Sequence, residues 1–385
     1  MFLNSSLYCK LYQPENSVTI MKLLYITNGI NGAGGLERVL AVKASYFADQ
    51  LGYEVHILSL NEPQPKPFYG FSSKLQFHSC EVKGNPIQYI FSYIKGIKST
   101  VSKIKPDIIS VCDDGLKGFF TPMILGKNKP IIYERHVSKA IEMHEHFSFI
   151  KKGSIFLKWK LMSFLAKKFD AFVVLTNGNV EEWEDLKNLV VIPNPLSFYP
   201  VESSSLQNKK VIAVGKQGYQ KGYDLLLQAW QKANINSKDW KLEIYGKIEP
   251  QEKLKELAIQ LGIFDKVVFF PPTQQIEEKY LDASLFVLSS RFEGFGMVLI
   301  EAMACGVPCV SFNCPHGPAD IIKHGKDGLL LPNGDVEQLA EALTDIMEHE
   351  EKRQLMGAAA KENVQRYLPE QIMPLWDRLF KSFKK

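Results

Sequence analysis

Short apolar runs alternate with longer stretches of helical periodicity along the first half of the chain. Between the first two runs, residues 36–52 form an amphipathic pattern that ends in Gly52, which is typical of a helix C-terminus. The runs have the unbroken hydrophobicity of strands that are buried on both faces of a parallel sheet. They lie at 22–27, 53–60, 107–112, 130–134, 171–176 and 189–194. Because these strands alternate with helices, we predict a doubly wound α/β domain.

A polar, serine-rich segment at 199–210 interrupts this pattern and is the best candidate for a linker. The alternation then resumes, and helical patterns follow at 335–349 and 351–367. The further predicted strands lie at 210–215, 240–246, 266–271, 284–290, 308–312 and 328–332. We therefore predict an α/β protein of two doubly wound, Rossmann-like domains that face a central cleft, because such folds bind ligands at the carboxyl ends of their strands.

The domain boundaries follow from the same patterns. We place the N-terminal domain at 21–198 and the C-terminal domain at 199–366. Residues 1–20 precede the first predicted strand, and we expect them to be a disordered extension. The tail at 367–385 is basic and amphipathic, so we predict a C-terminal helix that packs back on the N-terminal domain.

The composition is that of an ordinary soluble globular protein, with 45% hydrophobic and 23% charged residues. No apolar run reaches the roughly 18 residues of a membrane span, and no signal peptide is evident. Six cysteines without paired spacing indicate reduced thiols in a cytoplasmic protein. Cys305, Cys309, Cys314 and His316 lie close in sequence, but their spacing matches no zinc pattern, so we predict no metal site.

The net charge of +4 is unevenly distributed along the chain. The first 200 residues carry 23 Lys and Arg against 17 Asp and Glu, whereas the remainder carries 23 against 25. A basic first half fits an acidic partner such as a lipid phosphate or a membrane surface. The asymmetry is too mild to indicate nucleic acid, and no nucleic-acid-binding motif is present.

The first strand-to-helix turn of the second domain, VGKQGYQKGYDLLLQAW, has the composition of an anion-binding loop. Gly215, Gly218 and Gly222 allow a tight turn and a close backbone approach to a ligand. Lys216 and Lys221 flank the turn, ahead of a helix whose N-terminus favours an anion. The two lysines either clamp a diphosphate or are solvated loop charges.

Two glutamates of the second domain, Glu293 in a glycine-flanked loop and Glu301 in an apolar run, require an explanation. Carboxylates are rarely buried unless they are paired or hydrogen-bonded. We expect a helix to begin near Gly296 and to carry Glu301 in its second turn, pointing toward the cleft. The two carboxylates either bind pairs of hydroxyl groups, as a nucleotide sugar offers, or cap and pair within the protein.

A later loop, NCPHGPADIIK, also follows a predicted strand and leads into a short helix. We expect this loop, with Asp320 near its end, to face a ligand. His316 lies in the same loop, and an exposed loop histidine is its expected state.

Together these features resemble the family 4 retaining glycosyltransferases, which have the GT-B fold, from about Met21 to the C-terminus. The most specific element is a pair of glutamates separated by seven residues, in EGFGMVLIEAMACGVPCV at 293–310. The turn at 214–230 resembles the donor-phosphate loop of the family, and GAGGLERVL at 32–40 resembles its N-terminal glycine loop. VLTNG and IPNP also occupy the expected places.

The resemblance implies a role for each matching residue. Glu293 would contact the donor hexose, Glu301 the ribose hydroxyls and Lys221 the diphosphate. Lys216 stands where the family usually has arginine, which replaces a bidentate grip with a point charge. The residues implied to bind the donor are Gly215, Lys216, Lys221, Glu293, Gly294, Phe295, Gly296, Met297, Val298 and Glu301. Those implied at the acceptor or phosphate loop, unless its glycines only form a turn, are Gly34, Gly35 and Arg38.

The segment YERH departs from the family pattern. Relatives carry Glu-His-Asn or Glu-Arg-Asn after this strand, whereas here the histidine falls one position late, after Glu134 and Arg135. Either His136 reaches the reacting sugar, or Arg135 occupies that position and binds donor or acceptor. Both remain candidate catalytic residues together with Glu293 and Lys221.

The resemblance implies transfer of a hexose or N-acetylhexosamine from a nucleotide-diphospho-sugar with retention at the anomeric carbon. The nucleotide diphosphate leaves and the acceptor hydroxyl attacks on the same face, so the protein supplies positioning and charge stabilisation. Asp113 and Asp114 are adjacent and lie in the other domain, so no Asp-x-Asp motif precedes the site. We expect no metal and no cofactor beside the donor substrate.

The segment 146–169 interleaves aromatic side chains with six lysines, and residues 89–105 show the same pattern in the same domain. The segment 146–169 is either an amphipathic helix at a membrane interface or a crossover helix with solvated lysines. Its aromatic residues are Phe147, Phe149, Phe156, Trp159 and Phe164. Because the N-terminal domain binds the acceptor in the family, we expect a saccharide or polyprenyl-diphosphate-linked acceptor and a peripheral contact with the inner face of the cytoplasmic membrane.

We therefore predict a cytoplasmic glycosyltransferase that uses a UDP-linked sugar in the synthesis of a surface polysaccharide such as capsule or lipopolysaccharide. The main alternative is a non-catalytic nucleotide-sugar-binding or scaffold protein, which would keep Glu301 but could dispense with Glu293. A second alternative is a sugar epimerase or phosphorylase of the same fold. The phosphorylase is disfavoured because no lysine has a recognisable pyridoxal-binding context. A dinucleotide dehydrogenase is disfavoured, because neither domain has a clean glycine fingerprint followed by a ribose-binding acid.

Overall fold

A computed structural model describes residues 20–142, 148–233 and 239–384, and every structural statement below refers to these residues. The predicted extension at 1–20 lies outside this described part except for Ile20. Within the described ranges, no helix has both the length and the hydropathy that crossing a bilayer requires.

The first half of the chain forms a seven-stranded parallel sheet in the order β3-β2-β1-β4-β5-β6-β7. Its strands are β1 Lys22–Thr27, β2 Glu54–Leu60, β3 Gln76–Cys80, β4 Ile108–Cys112, β5 Ile131–Glu134, β6 Ala171–Val174 and β7 Leu189–Val191. The apolar runs predict all of these except β3. This strand lies at the edge of the sheet with only Cys80 buried, so its sequence lacks an apolar run.

Helices cover both faces of this sheet, as a doubly wound fold requires. They are α1 Gly35–Asp49, α2 Pro86–Ile104, α3 Thr121–Leu125, α4 Phe149–Ala166 and α5 Gly178–Glu182. The buried side chains of α1 pack on one face of the sheet, and those of α2 and α4 pack together on the other. The carboxyl ends of the strands are thereby left open at one edge.

The second half forms a six-stranded parallel sheet in the order β10-β9-β8-β11-β12-β13, and all six strands were predicted. The strands are β8 Lys210–Val214, β9 Lys241–Tyr245, β10 Val267–Phe270, β11 Leu285–Leu288, β12 Cys309–Phe312 and β13 Gly328–Leu331. The helices around it are α6 Tyr223–Ala233, α7 Leu254–Gln260, α8 Ile276–Leu281, α9 Met297–Ala304, α10 Pro318–Ile321, α11 Val336–Glu348 and α12 Glu350–Val364. The prediction of two doubly wound α/β units is confirmed.

The last helix, α13 (Pro369–Ser382), returns to the first half of the molecule and packs on α1. The rings of Phe380 and Phe47 lie 5.2 Å apart, and the Tyr53 hydroxyl donates a 2.6 Å hydrogen bond to Asp377. Because Phe380 is fully buried there, the apolar face of this amphipathic helix is covered by the N-terminal domain. The C-terminus of the chain thus braces the N-terminal sheet.

Candidate active site

A cleft of about 480 Å³ lies between the two sheets, at the carboxyl edges of their strands. The N-terminal domain contributes the start of α1 and the loop after β5, and the C-terminal domain contributes the loops after β8, β9 and β11. Of the predicted site residues, those lining the cleft are Gly34, Gly35, Arg38, His136, Gly215, Lys216, Lys221, Glu293, Gly294, Phe295, Gly296, Met297, Val298 and Glu301. Arg135 is not among the residues that line it.

The two lysines of the loop after β8 have different surroundings. Lys221 is 14% exposed, precedes α6, and donates a 2.7 Å hydrogen bond to Glu293 Oε1. Lys216 is 63% exposed and pairs with Glu249 at 3.1 Å. Hydrogen bonds from Gln251 and Lys216 lower the pKa of Glu249 to about 2. Lys221 is therefore the cation held inside the cleft, and Lys216 lies at its mouth.

Glu293 is held within its own domain. Its Oε1 accepts hydrogen bonds from Lys221 and, at 2.5 Å, from the Ser290 hydroxyl. Its backbone N–H donates to the carbonyl of Pro315 at 3.1 Å. Because both side-chain contacts use Oε1, the loops after β8 and β11 together hold the carboxylate in place through one oxygen.

Glu301 lies in the second turn of α9, which begins at Met297 as expected. Gly296 precedes the helix with a φ of +99°, a left-handed conformation that suits glycine. The Glu301 carboxylate is fully buried and forms an ion pair with Arg38 of the other domain, and Ser197 donates to it at 3.1 Å. The carboxylate is thus paired within the protein, across the cleft.

Arg38 is held on the opposite wall by α1 and by Tyr69. Its Nη2 donates to the Tyr69 hydroxyl at 3.1 Å, and that hydroxyl donates to the carbonyl of Ala33 at 2.9 Å. Burial by itself would lower the pKa of Arg38, but the neighbouring Glu301 and Tyr69 raise it above its ordinary value. The glycine loop and α1 therefore hold a charged guanidinium beside the Glu301 carboxylate in the cleft.

The structure separates the two residues that share the YERH segment. The His136 side chain lines the cleft and is 6% exposed. The Arg135 guanidinium is buried, and its Nη1 donates to the carbonyl of Asp114 at 2.9 Å. A Cβ atom at Gly294 would overlap the His136 carbonyl oxygen, so the two walls of the cleft touch at this point. His136 is consequently the residue of this pair that can meet a ligand there.

One group of potential metal ligands occurs in the described part of the chain, namely Cys112, Glu134 and His136, whose ligand atoms lie within 4.8 Å of one another. The Lys43 ammonium forms an ion pair with Glu134 and so supplies the positive charge that a metal would bring. Burial also raises the pKa of the Cys112 thiol well above its usual value, which disfavours the thiolate that binds metals.

The expected exposure of His316 is wrong. Its side chain is 13% exposed, and its Nε2 lies 3.0 Å from Glu182 of the N-terminal domain. In α10, which follows this loop, Asp320 accepts a 3.1 Å hydrogen bond from the backbone N–H of Asn177. The loop after β12 therefore contacts the other domain rather than solvent, because the two carboxyl edges face each other.

Sequence reasoning missed several residues that line the cleft. They include Tyr69, Ser138, Tyr245, Gly246, Lys247 and Thr273. Tyr245 ends β9 and Thr273 follows β10 closely, so the rule that ligands bind at the carboxyl ends of parallel strands could have found both. Tyr69 lies in a long loop between β2 and β3, where no local pattern indicates its contact with Arg38.

Comparison with known proteins gives two family matches that together cover most of the chain. The model for Glycosyltransferase Family 4 matches residues 33–197, and the model for Glycosyl transferases group 1 matches residues 200–363. An uncharacterized glycosyltransferase of Haemophilus influenzae is 29% identical over 364 residues, which span 92% of this chain and 98% of that protein. The amylovoran biosynthesis glycosyltransferase AmsD of Erwinia amylovora is 27% identical over the same shares of the two chains.

The fold also has close counterparts among solved structures. The structure of HepE from Anabaena in complex with UDP and glucose matches with a TM-score of 0.76 at 18% identity. The match covers 94% of this chain and 100% of that one. A likeness at this level of identity shows the fold alone, and it confirms the predicted GT-B architecture.

Proposed function

The chain belongs to glycosyltransferase family 4, and on that premise we propose a retaining enzyme that uses a UDP-linked sugar. The transferred group is a hexose or N-acetylhexosamine, and the acceptor is a saccharide or a lipid-linked saccharide. The observation that carries this proposal is the convergence of Lys221, Glu293, Glu301 and His136 from both domains on one cleft. The complex of HepE with UDP and glucose supports the choice of donor, since that protein has the same fold.

Each side chain has a place in the proposed reaction. Lys221 and the N-terminus of α6 stabilise the charge that develops on the leaving diphosphate. Oε2 of Glu293 accepts hydroxyl groups of the donor hexose, since its Oε1 is taken by Lys221 and Ser290. Glu301 binds the ribose hydroxyls, for which it exchanges or shares its ion pair with Arg38. Because Lys221 supplies the charge at the diphosphate, we propose that transfer needs no metal.

Thermal unfolding of the purified chain with UDP, GDP, ADP, their common sugars and NAD tests the donor. A ligand at about 100 times its dissociation constant stabilises the folded state by about 2.7 kcal/mol, which is readily measured. We expect a shift with UDP and UDP-sugars, followed by release of UDP when an acceptor is added in the presence of EDTA. A shift with GDP or ADP alone would reject the UDP assignment, and binding without turnover would favour the scaffold role.

The pathway is proposed from the relatives. AmsD of Erwinia amylovora is named for amylovoran biosynthesis, and a relative in Escherichia coli, 26% identical over 332 residues, is named a lipopolysaccharide 1,6-galactosyltransferase. We accordingly place this chain in surface polysaccharide synthesis. Deleting its gene should remove one sugar from the polysaccharide, and an unchanged sugar composition would reject the assignment.

A membrane contact through α4 is the second part of the proposal. This helix buries Ile155, Met162, Leu165 and Ala166 against the sheet but also carries apolar residues outward. Phe149 and Ile150 at its N-terminus are 94% and 88% exposed. The other exposed apolar side chains of α4 are Phe156, Leu157, Leu161 and Phe164. His146 and Phe147 of the predicted interfacial segment lie outside the described residues.

The neighbouring helix α2 continues this surface. Ile87, Ile90 and Phe91 in its first turns are exposed, and α2 packs on the same face of the sheet as α4. Crossover helices run antiparallel to the strands they follow, so the N-termini of α2 and α4 lie at the edge that forms the cleft. An anionic membrane at this rim would hold a polyprenyl-diphosphate-linked acceptor beside the site, because the lysines around these side chains attract anionic headgroups.

Sedimentation with phosphatidylcholine vesicles, with and without phosphatidylglycerol, tests the contact. We expect binding to the anionic vesicles and at least about tenfold weaker binding when Phe149 and Ile150 are both replaced by Ser, since burying one such side chain contributes about 1.5–3 kcal/mol. The matched control replaces Ile259 and Leu355, two exposed apolar residues of the C-terminal domain, with Ser. Equal binding by the two double variants would reject the proposed surface.

A further inference from the structure

A buried chain of polar groups lies behind His136 in the N-terminal domain. Glu134 and Lys43 are each 1% exposed and form an ion pair between the end of β5 and the middle of α1. The other carboxylate oxygen of Glu134 accepts a 2.6 Å hydrogen bond from the fully buried Ser110. A charge pair this deep inside a domain carries a large desolvation cost, and a role in stability alone explains it poorly.

In one direction the buried polar groups lead to the C-terminal helix α13. Lys43 Nζ lies 3.4 Å from the ring centroid of Trp376, which is fully buried on α13. A desolvated cation over a tryptophan face is a favourable contact. Trp376 thus contacts the same ammonium that pairs with Glu134. The last helix of the chain is therefore in contact with the ion pair.

In the other direction the chain reaches the cleft. His136 Nε2 lies 3.2 Å from the same Glu134 oxygen that pairs with Lys43. Burial by itself would raise the pKa of Glu134, but Lys43 and His136 lower it to about 2. The carboxylate is ionised and can only accept, so Nε2 carries the proton of this hydrogen bond. In the neutral imidazole Nδ1 is then an acceptor, and this buried atom has no hydrogen-bond partner among the described residues.

We propose that Lys43, Glu134 and Trp376 are positioning residues that hold the His136 ring, in its Nε2–H tautomer, at the wall of the cleft. Lys43 keeps the carboxylate ionised, and Trp376 keeps Lys43 in place. The C-terminal helix thereby acts on the reaction centre although it contributes no atom to the cleft. This inference rests on the proposed transferase function for its effect on turnover, but the tautomer of His136 is measurable without it.

The test compares Lys43→Met, Glu134→Gln and the double variant that carries both. Each single variant leaves one buried charge unpaired, so we expect a large fall in melting temperature. The double variant removes both charges and should recover most of that loss. If Glu134 positions His136, kcat of the double variant stays roughly 10- to 100-fold low, as for lost outer partners of a functional histidine, while KM for the donor is unchanged. Recovery of kcat together with stability would overturn the proposal.

A second pair of variants tests the contribution of α13. Trp376→Leu should lower kcat with little change in KM for the donor. Trp230→Leu, which changes an equally buried tryptophan in the core of the C-terminal domain, should lower the melting temperature with kcat retained. Equal kcat in the two variants would remove Trp376 from the proposed chain.

NMR of protein labelled with ¹⁵N-histidine separates this inference from the proposed function. The signals of His136, assigned with His136→Gln, should show the Nε2–H tautomer in the wild type and a mixture in the double variant. A mixed tautomer in the wild type would overturn the proposal even if transfer is observed. One equivalent of metal bound by the wild type and lost in the double variant would also overturn it, by making Cys112, Glu134 and His136 metal ligands. Absence of transfer with a fixed tautomer would instead count against the proposed function.

Discussion

The two walls of the cleft are built in different ways. On the C-terminal wall, Glu293 is held by Lys221 and Ser290 of its own domain. On the N-terminal wall, Arg38 reaches its partner Glu301 in the other domain, and the support of His136 extends through Lys43 to the C-terminal helix. Glu293 is therefore held entirely within its own domain. The other wall depends on contacts that form only when the two domains and α13 are assembled.

Because of this difference, we expect nucleotide binding and turnover to depend on different parts of the cleft. A nucleotide can meet Lys221 and the loop after β11 on the C-terminal wall alone. His136 joins the site where its backbone touches Gly294, and Arg38 joins it through its ion pair with Glu301. Changes on the C-terminal wall should consequently act through the donor, and changes at the contact between the walls should act on turnover. The following variants test this division.

The largest expected effect is that of Glu293→Ala. Because Glu293 stands between Lys221 and the proposed position of the hexose, its loss should lower kcat by about two to three orders of magnitude. UDP is held mainly by other groups, so its affinity should survive. Turnover of the UDP-sugar and titration with UDP measure the two effects. A loss of UDP affinity equal to that in Glu301→Ala would contradict the division between hexose and ribose contacts.

Gly294→Ala should break the contact between the walls. The new Cβ atom would overlap the His136 carbonyl oxygen, so the domains cannot close fully. We expect a roughly 10- to 100-fold loss of transfer, because a small displacement of the reacting groups costs about this much, with UDP affinity close to wild type. Gly70→Ala is the control, since a Cβ there meets no atom within 4 Å. Unchanged turnover in Gly294→Ala would show that this contact is not needed.

Glu301→Ala should affect the C-terminal wall and the contact across the cleft together. It removes the proposed ribose ligand, so we expect about tenfold weaker UDP binding, a change of about 1.4 kcal/mol. It also leaves Arg38 without its ion-pair partner and should lower the melting temperature. Calorimetric titration with UDP measures the first effect. Arg38→Ala, which breaks the ion pair but keeps the carboxylate, should reproduce the thermal effect with a smaller loss of UDP affinity.

The smallest effect concerns the bridge between His316 and Glu182. Burial by itself would raise the pKa of Glu182, but hydrogen bonds from His316 and Ser138 hold it below its usual value. A lowered pKa in the folded state stabilises the protein above the unfolded value near 4.5, and this stabilisation is lost as the pH falls through the folded pKa. Glu182→Gln should therefore lose less stability than the wild type as the pH falls below about 4.5. Melting temperatures measure this, and Glu184→Gln, an exposed neighbour, should behave like the wild type.

The sequence predicted most of the architecture because the signals for it are local. Buried parallel strands have unbroken apolar runs in their sequences. Among the described residues, twelve of the thirteen strands coincide with such runs. The start of α9 and the place of Glu301 in its second turn follow from the glycines before an apolar run. The edge strand β3 was missed for the same reason, since a half-exposed strand has no apolar run to find.

The partners of the charged residues could not be predicted in this way. Glu301 could have bound a ligand or paired within the protein, and the sequence left both open because Arg38 lies in another domain. The same holds for His316, whose partner Glu182 lies across the cleft, and for the choice between Arg135 and His136 at its wall.

The sequence by itself thus determined the two doubly wound units, the position of the cleft and most of the residue types predicted to line it. Only the tertiary structure decided that Arg38 neutralises Glu301 and that Trp376 covers Lys43. The physical reason is that hydrophobic periodicity reflects local geometry, so a short stretch of sequence is enough to indicate a strand or a helix. The pairing of a buried charge depends on which groups the folded chain brings within a few ångströms, whatever their separation along the chain.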